Sequence, residues 1–104
     1  MSTRDDYTAA VLAAYVRTPG VLGRVRTADT VLAARLYDHG VPLYLVTNAF
    51  LLAATRRIRN NAFADPLPPI RSLHYFLPVL RELQQRPLGP RDIDRIRETL
   101  GGHL

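Results

Sequence analysis

Residues 42–59 read PLYLVTNAFLLAATRRIR, a stretch without charge from Pro42 to Thr55 that then ends in three arginines. Proline is tolerated at the first position of a helix, where its missing N–H needs no partner. Apolar residues recur at helical spacing, and three further leucines make the stretch apolar nearly all round. The positions predicted to face the core are Leu43, Val46, Ala49, Phe50, Ala53 and Ala54. We therefore predict a central helix over Pro42–Arg59, enclosed by the rest of the chain.

Two helices are predicted before this stretch. The first covers about Asp5–Arg17, because Pro19-Gly20 follows it. The second begins after Thr27 and stops at Gly40, a residue type that favours the left-handed backbone at helix ends. Asp29 lies in the first turn of this helix, where a carboxylate suits the helix dipole.

Two helical segments are predicted after the central helix. Asn60–Pro69 is rich in proline and is predicted to be a loop. Ser72 caps a fourth helix, whose axis Pro78 either bends or splits, and a fifth helix covers about 90–100. The fold class is therefore all-α, a compact bundle of about five helices in one domain over residues 1–104, with a Pro-rich loop before the fourth.

Composition excludes several classes of protein. The chain has 104 residues, is 47% hydrophobic and contains no cysteine, so we expect a folded domain without disulfides. No run is long and apolar enough for a membrane span, and a cytoplasmic location is expected. His39, His74 and His103 are scattered, which predicts no metal site. Without a catalytic motif, we expect no enzyme and no cofactor.

Positive charge is concentrated in the middle of the chain. The net charge is +5, and all 14 basic residues are arginine. Residues 50–91 carry seven arginines against Asp65 and Glu82, whereas the flanking segments nearly cancel. A localised excess of arginine is typical of proteins that bind nucleic acid, since the guanidinium fork matches phosphate.

The predicted phosphate ligands lie on both sides of the Pro-rich loop, and Tyr75 is the aromatic expected to stack on a base. His74 is a second candidate for stacking. The predicted nucleic-acid-binding residues are Arg56, Arg57, Arg59, Arg71, Tyr75 and Arg81. If four to five phosphates of a single strand are neutralised, the slope of log K against log salt should be about −3 to −3.5.

The order of these signals resembles the C-terminal domain that DnaD and DnaB of Firmicutes share with many phage and plasmid replication proteins. The corresponding pieces here are Leu36–Pro42, Ala49–Ala54, Arg56–Arg59 and Ile70–Tyr75. The closing pattern of that family, Tyr-x3-Ile-x3-Trp, becomes Tyr-x3-Val-x3-Leu over residues 75–83. The resemblance covers about residues 7–83.

The resemblance implies a non-enzymatic DNA-binding accessory protein of DNA replication, of the primosome or helicase-loading type, from a mobile element, phage or plasmid. DNA would be its partner, with single strands favoured over duplex. A replicative helicase or an initiator protein would be its protein partner. The family's motif helix contributes to single-strand binding, and its motif positions correspond to Tyr75, Val79 and Leu83. Tyr75 would then stack on a base or belong to the core, whereas Val79 and Leu83 are expected to be core residues.

Two alternatives remain open from sequence. In the first, the chain is an adapter whose apolar surface at Leu73, Phe76 and Leu77 docks on a helicase, an initiator or a transposase. In the second, residues 27–59 form a helix-turn-helix of a transcriptional regulator. The cations lie at the wrong end of the second helix for that motif, and the oligomeric state is left open.

Overall fold

The computed structural model describes residues 3–60 and 67–101, which form five α-helices and one 3₁₀ turn. The prediction of an all-α bundle of about five helices is confirmed. The elements are α1 (Thr3–Arg17), α2 (Thr27–Asp38), α3 (Leu43–Asn60), the 3₁₀ turn (Leu73–Phe76), α4 (Leu77–Gln85) and α5 (Pro90–Gly101). None of these helices is long and apolar enough to cross a membrane. No group of three or more carboxylates and histidines in this part of the chain is placed to hold a metal.

The central position predicted for α3 is confirmed, because α1, α4, α5 and the 3₁₀ turn all pack on it. Its alanines lie at these contacts, where the absence of a larger side chain lets backbones approach. The buried face begins at Leu45, whereas Leu43, predicted to face inward, is 37% exposed. The helix also runs one residue into the predicted loop and ends at Asn60. The middle of that loop, residues 61–66, lies outside the described residues, as do Gly102 and His103.

Asp29 fixes the segment that follows the Pro-rich loop. Its carboxylate is 1% exposed and accepts hydrogen bonds from the backbone N–H of Arg26 and of Leu73, both at 2.9 Å. A parallel bridge adds to this link, since the N–H of Ile70 donates to Gly20 O at 2.7 Å and the N–H of Leu22 donates to Ile70 O at 2.9 Å. The 3₁₀ turn is therefore held against α2 by the buried carboxylate of Asp29, and the residue Ile70 before it is held against the connector between α1 and α2.

Pro78 splits the fourth helical segment. The 3₁₀ turn ends at Phe76 and α4 starts at Leu77, so Pro78 lies in the first turn of α4, where a missing N–H breaks no helical hydrogen bond. Ser72 caps the 3₁₀ turn as predicted, because its Oγ accepts a hydrogen bond from the N–H of His74. Because of this break, the direction of residues 73–76 differs from the axis of α4.

The 3₁₀ turn places Phe76 in an aromatic cluster at the centre of the core. Its ring centroid lies 4.8 Å from that of Phe50 and 6.0 Å from that of Tyr15. Phe76 and Leu73 are each 2% exposed, and Leu77 is half-buried. The prediction that Leu73, Phe76 and Leu77 form a docking surface is therefore wrong, because burial in the core satisfies the apolar side chains that suggested it.

A smaller cluster attaches α5 to the bundle. Ile96 and Leu100 are each 5% exposed and pack with Ala54 of α3, and Leu88 of the preceding connector covers them. The spacing of Ile96 and Leu100 gives one apolar stripe on an otherwise polar helix. As a result, α5 lies along the C-terminal half of α3 and forms a wall beside the arginines there.

Candidate nucleic-acid interface

Tyr75 presents its ring to solvent beside an arginine. It is 44% exposed, although its neighbour Phe76 is buried. The guanidinium carbon of Arg57 lies 5.8 Å from the centroid of the Tyr75 ring, within the range of a cation–π interaction. The arrangement combines an accessible aromatic face with a cation, which is the combination that binds unpaired bases and their phosphates.

Arg57 is held in place by three parts of the chain. Its Nη2 donates a hydrogen bond to Pro68 O at 3.0 Å, and its guanidinium contacts Tyr75. Gly20 lies on its other side with φ +94°, and a Cβ there would be 3.2 Å from Arg57 Nε. Only glycine combines that backbone conformation with this close approach. Arg57 is thus a half-buried cation with a fixed direction.

Two shallow grooves flank Tyr75. One, of about 300 Å³, is bounded by Arg56, Leu67 and Val79 as well as by Arg57 and Tyr75. The other, of about 410 Å³, runs along the end of the Pro-rich loop and is bounded by Arg57, Arg71 and Tyr75. The Tyr75 face, as used below, means Arg56, Arg57, Arg71 and Tyr75. Three of the five arginines predicted from sequence lie on it.

Arg56 is already paired. Its Nη1 and Nη2 donate to the two carboxylate oxygens of Glu82 at 2.7 and 2.6 Å, a bidentate ion pair between α3 and α4. These hydrogen bonds lower the pKa of Glu82 and raise that of Arg56. Both side chains are almost half exposed, so solvent screens the pair. A phosphate at Arg56 would compete with Glu82.

Arg59 lies on a different surface from Arg57. It lines a groove of about 340 Å³ between α3, α4 and α5, together with Arg56, Arg86 and Arg95. This is called the α5 groove below. Arg81 is exposed on α4 and lines neither this groove nor those beside Tyr75. His74, the second stacking candidate, lies against α2 beside Val31 and Arg35. The predicted site therefore divides between two surfaces.

Sequence reasoning missed Arg86 and Arg95 as members of a basic surface. Residues 92–104 carry a net charge of −1, which masked Arg95. The sequence signal that could have identified Arg95 is the apolar stripe formed by Ile96 and Leu100. Arg95 directly precedes the inward-facing Ile96, and a residue in that position lies at the edge of the buried face of a helix. Asp92 also lines the groove, but its carboxylate accepts a hydrogen bond from the N–H of Gly89 at 3.0 Å.

The helix-turn-helix outline is present, with Gly40 (φ +72°) between α2 and α3. The start of α3 would have to meet the bases in such a motif. There Leu43 and Tyr44 are exposed, the latter at 64%, and no charged residue occurs from Gly40 to Thr55. The arginines of α3 lie at its opposite end.

No protein-family model, curated protein or solved structure matches this chain. The likeness to the DnaD-type domain therefore stays a prediction that depends on the residues quoted for it.

Proposed function

We propose that this chain is a non-enzymatic nucleic-acid-binding domain that holds single-stranded DNA on the Tyr75 face. One observation carries the proposal: an exposed aromatic ring with a cation fixed at 5.8 Å from its centroid and further arginines on both sides. An unpaired base stacks on Tyr75, and the phosphates on either side of it contact Arg57, Arg71 and, after exchange with Glu82, Arg56. Such contacts fix position but read little sequence.

The biological context of the proposal comes from sequence. The likeness of residues 7–83 to the DnaD-type domain suggests an accessory role in DNA replication, in a primosome or in helicase loading of a mobile element, phage or plasmid. Attachment to a replicative helicase or an initiator belongs to the same proposal. Its surface would have to differ from Leu73 and Phe76, since both are in the core.

The test is fluorescence anisotropy with a labelled single-stranded oligonucleotide and the matching duplex, at about 50 and 200 mM salt. We expect tighter binding to the single strand. Three cations on the Tyr75 face predict a slope of log K against log salt of about −2, shallower than the value expected from five. A slope near zero, or equal affinity for duplex, would contradict the proposal.

Substitution of Tyr75 isolates the stacking contribution. Tyr75→Ala should weaken single-strand binding about tenfold, the order of one base–aromatic stack. The matched control is Tyr44→Ala. Tyr44 is more exposed than Tyr75 but lies at the start of α3, whereas the arginines of the Tyr75 face that belong to α3 lie at its end. Equal affinities of these two variants would exclude Tyr75 as the stacking residue. Arg71→Gln, compared with the exposed Arg24→Gln, gives the same contrast for charge.

Arg56 and Arg57 are poor choices for a first test. Replacing them removes the Glu82 ion pair and the contact with Pro68 as well as two cations. A loss of binding in that double variant would not separate phosphate contact from altered structure. Arg71 makes no side-chain hydrogen bond or ion pair within residues 3–60 and 67–101, so its removal changes charge with little else.

A further inference from the structure

The α5 groove has the composition of a phosphate site. Three of its arginines come from three different segments: Arg59 from α3, Arg86 from the end of α4 and Arg95 from α5. Its floor is apolar and includes Leu52 and Ile96. At about 340 Å³ the groove lies at the small end of the range for ligand sites, which combine an apolar lining with a few convergent polar groups.

The two carboxylates of this groove form their hydrogen bonds with groups other than Arg59, Arg86 and Arg95. Glu82 is bound by Arg56, and Asp92 caps the backbone at Gly89. Arg59, Arg86 and Arg95 are exposed and form no side-chain hydrogen bond or ion pair within the described parts of the chain. Four arginines against two carboxylates leave the groove with a net charge of +2. Arg86 also acts electrostatically on Glu82, but that carboxylate is already bound by Arg56. The positive charges that remain repel one another, and an anion between them relieves that repulsion.

We propose that the α5 groove binds a phosphate group, with the guanidiniums of Arg59, Arg86 and Arg95 as its ligands. Phosphate fits because planar guanidinium forks pair bidentately with its oxygens, and three forks match a multiply charged tetrahedral group. The group belongs either to a free nucleotide-type ligand or to the backbone of a bound strand.

This site is separate from the one proposed for base stacking. Residues 86, 95 and 96 lie outside the part of the chain that resembles the DnaD-type domain. Arg56 is the one residue shared by the α5 groove and the Tyr75 face. A strand on Tyr75 that passed over Arg56 would enter the groove, whereas a free nucleotide would occupy it without any strand.

The experiment is isothermal titration calorimetry of the full chain with inorganic pyrophosphate at about 50 mM salt. The test variant is Arg86→Gln with Arg95→Gln. The matched control is Arg91→Gln with Arg97→Gln, which removes the same charge from exposed positions of α5 that do not line the groove. We expect the test variant to bind pyrophosphate about a hundredfold more weakly, about tenfold for each guanidinium lost, and the control to bind normally.

The same two variants are then titrated with the labelled single strand, which distinguishes the sources of phosphate. Pyrophosphate binding that is lost only in the test variant, with strand affinity unchanged, identifies a free phosphorylated ligand. Strand affinity that falls only in the test variant identifies backbone phosphate. No effect specific to the test variant in either titration, or equal weakening in the control, overturns the proposal.

Arg59→Gln on α3 provides a second variant if the substitutions at Arg86 and Arg95 alter folding, which circular dichroism would reveal. It must weaken the same titration that the Arg86 and Arg95 pair weakens. The outcome is also independent of the stacking proposal. Pyrophosphate binding that is weakened only in the test variant supports the groove even if Tyr75→Ala leaves strand binding unchanged. Conversely, weaker strand binding by Tyr75→Ala supports the stacking proposal even if the groove does not bind pyrophosphate.

Discussion

The two basic surfaces at the end of α3 hold their arginines in different ways. On the Tyr75 face, Arg57 is fixed by Pro68 O and the Tyr75 ring, and Arg56 is fixed by Glu82. In the α5 groove, Arg59 and Arg95 extend from their helices without a side-chain partner among the described residues. The arginines of the first surface are thus preorganised, and one of them is paired with Glu82, whereas Arg59 and Arg95 of the second surface are not held by such contacts.

The difference shows how one short sequence serves two surfaces. Arg56, Arg57 and Arg59 are nearly consecutive, but each residue of a helix is rotated by about 100° from the one before. They therefore face α4, the Pro-rich loop and the α5 groove in turn. A cluster of cations in a sequence does not by itself define one binding site.

The largest expected effect comes from Asp29→Ala, which would break the Tyr75 face without touching the α5 groove. The substitution leaves the buried N–H groups of Arg26 and Leu73 without an acceptor. We expect a loss of about 3 kcal/mol in the free energy of unfolding, measured in urea. Strand binding should weaken further than pyrophosphate binding, since Leu73 anchors the turn that carries Tyr75.

Asp94→Ala is the control for that measurement. Asp94 is exposed on α5, and its removal should change the free energy of unfolding by no more than about 0.5 kcal/mol. If Asp29→Ala were as mild as this control, the buried link between α2 and the 3₁₀ turn would not be an anchor.

A smaller effect is expected for Gly20→Ala, compared with Gly23→Ala. Both glycines have positive φ, +94° and +88°, so alanine should cost about 1 kcal/mol at either position. Only at Gly20 does the added Cβ meet Arg57, at 3.2 Å from Nε, whereas Gly23 has open space around it. Both variants should lose similar stability in urea, but only Gly20→Ala should weaken strand binding. Equal strand affinities would show that the position of Arg57 is unimportant.

The smallest expected effect is that of Glu82→Gln, which frees Arg56, the residue that the Tyr75 face and the α5 groove share. Strand affinity should rise about threefold, the order of one exposed ion pair. Glu98→Gln is the control, because Glu98 is exposed and lines neither surface. Anisotropy titrations that give the same gain for both variants would attribute it to overall charge alone.

The pH dependence of the same pair gives a second measurement. Hydrogen bonds from Arg56 lower the pKa of Glu82, so the pair stabilises the fold fully above the ordinary glutamate pKa and loses its contribution as the pH falls through the lowered value. As the pH falls through that interval, protonation of Glu82 frees Arg56, so strand affinity should rise in the wild-type chain and stay constant in Glu82→Gln. A parallel rise in both would assign the change to another group.

Local patterns in the sequence determined the helices and their order. The apolar spacing of residues 42–59 predicted α3 as the centre, and the pattern of prolines and glycines placed most helix ends within a few residues. Ser72 was correctly identified as a cap. These features depend on neighbours along the chain, and capping, backbone restriction and helical periodicity act over one or two turns.

Only the tertiary structure decided which surface each residue serves. Leu73 and Phe76 lie on an apolar segment that suits either a core or an interface, and packing against Phe50 and Tyr15 assigned them to the core. Asp29 suited a helix N-terminus locally, but its second oxygen binds Leu73, 44 positions away. Contacts between residues so distant in sequence depend on how whole helices pack, and no local pattern encodes that arrangement.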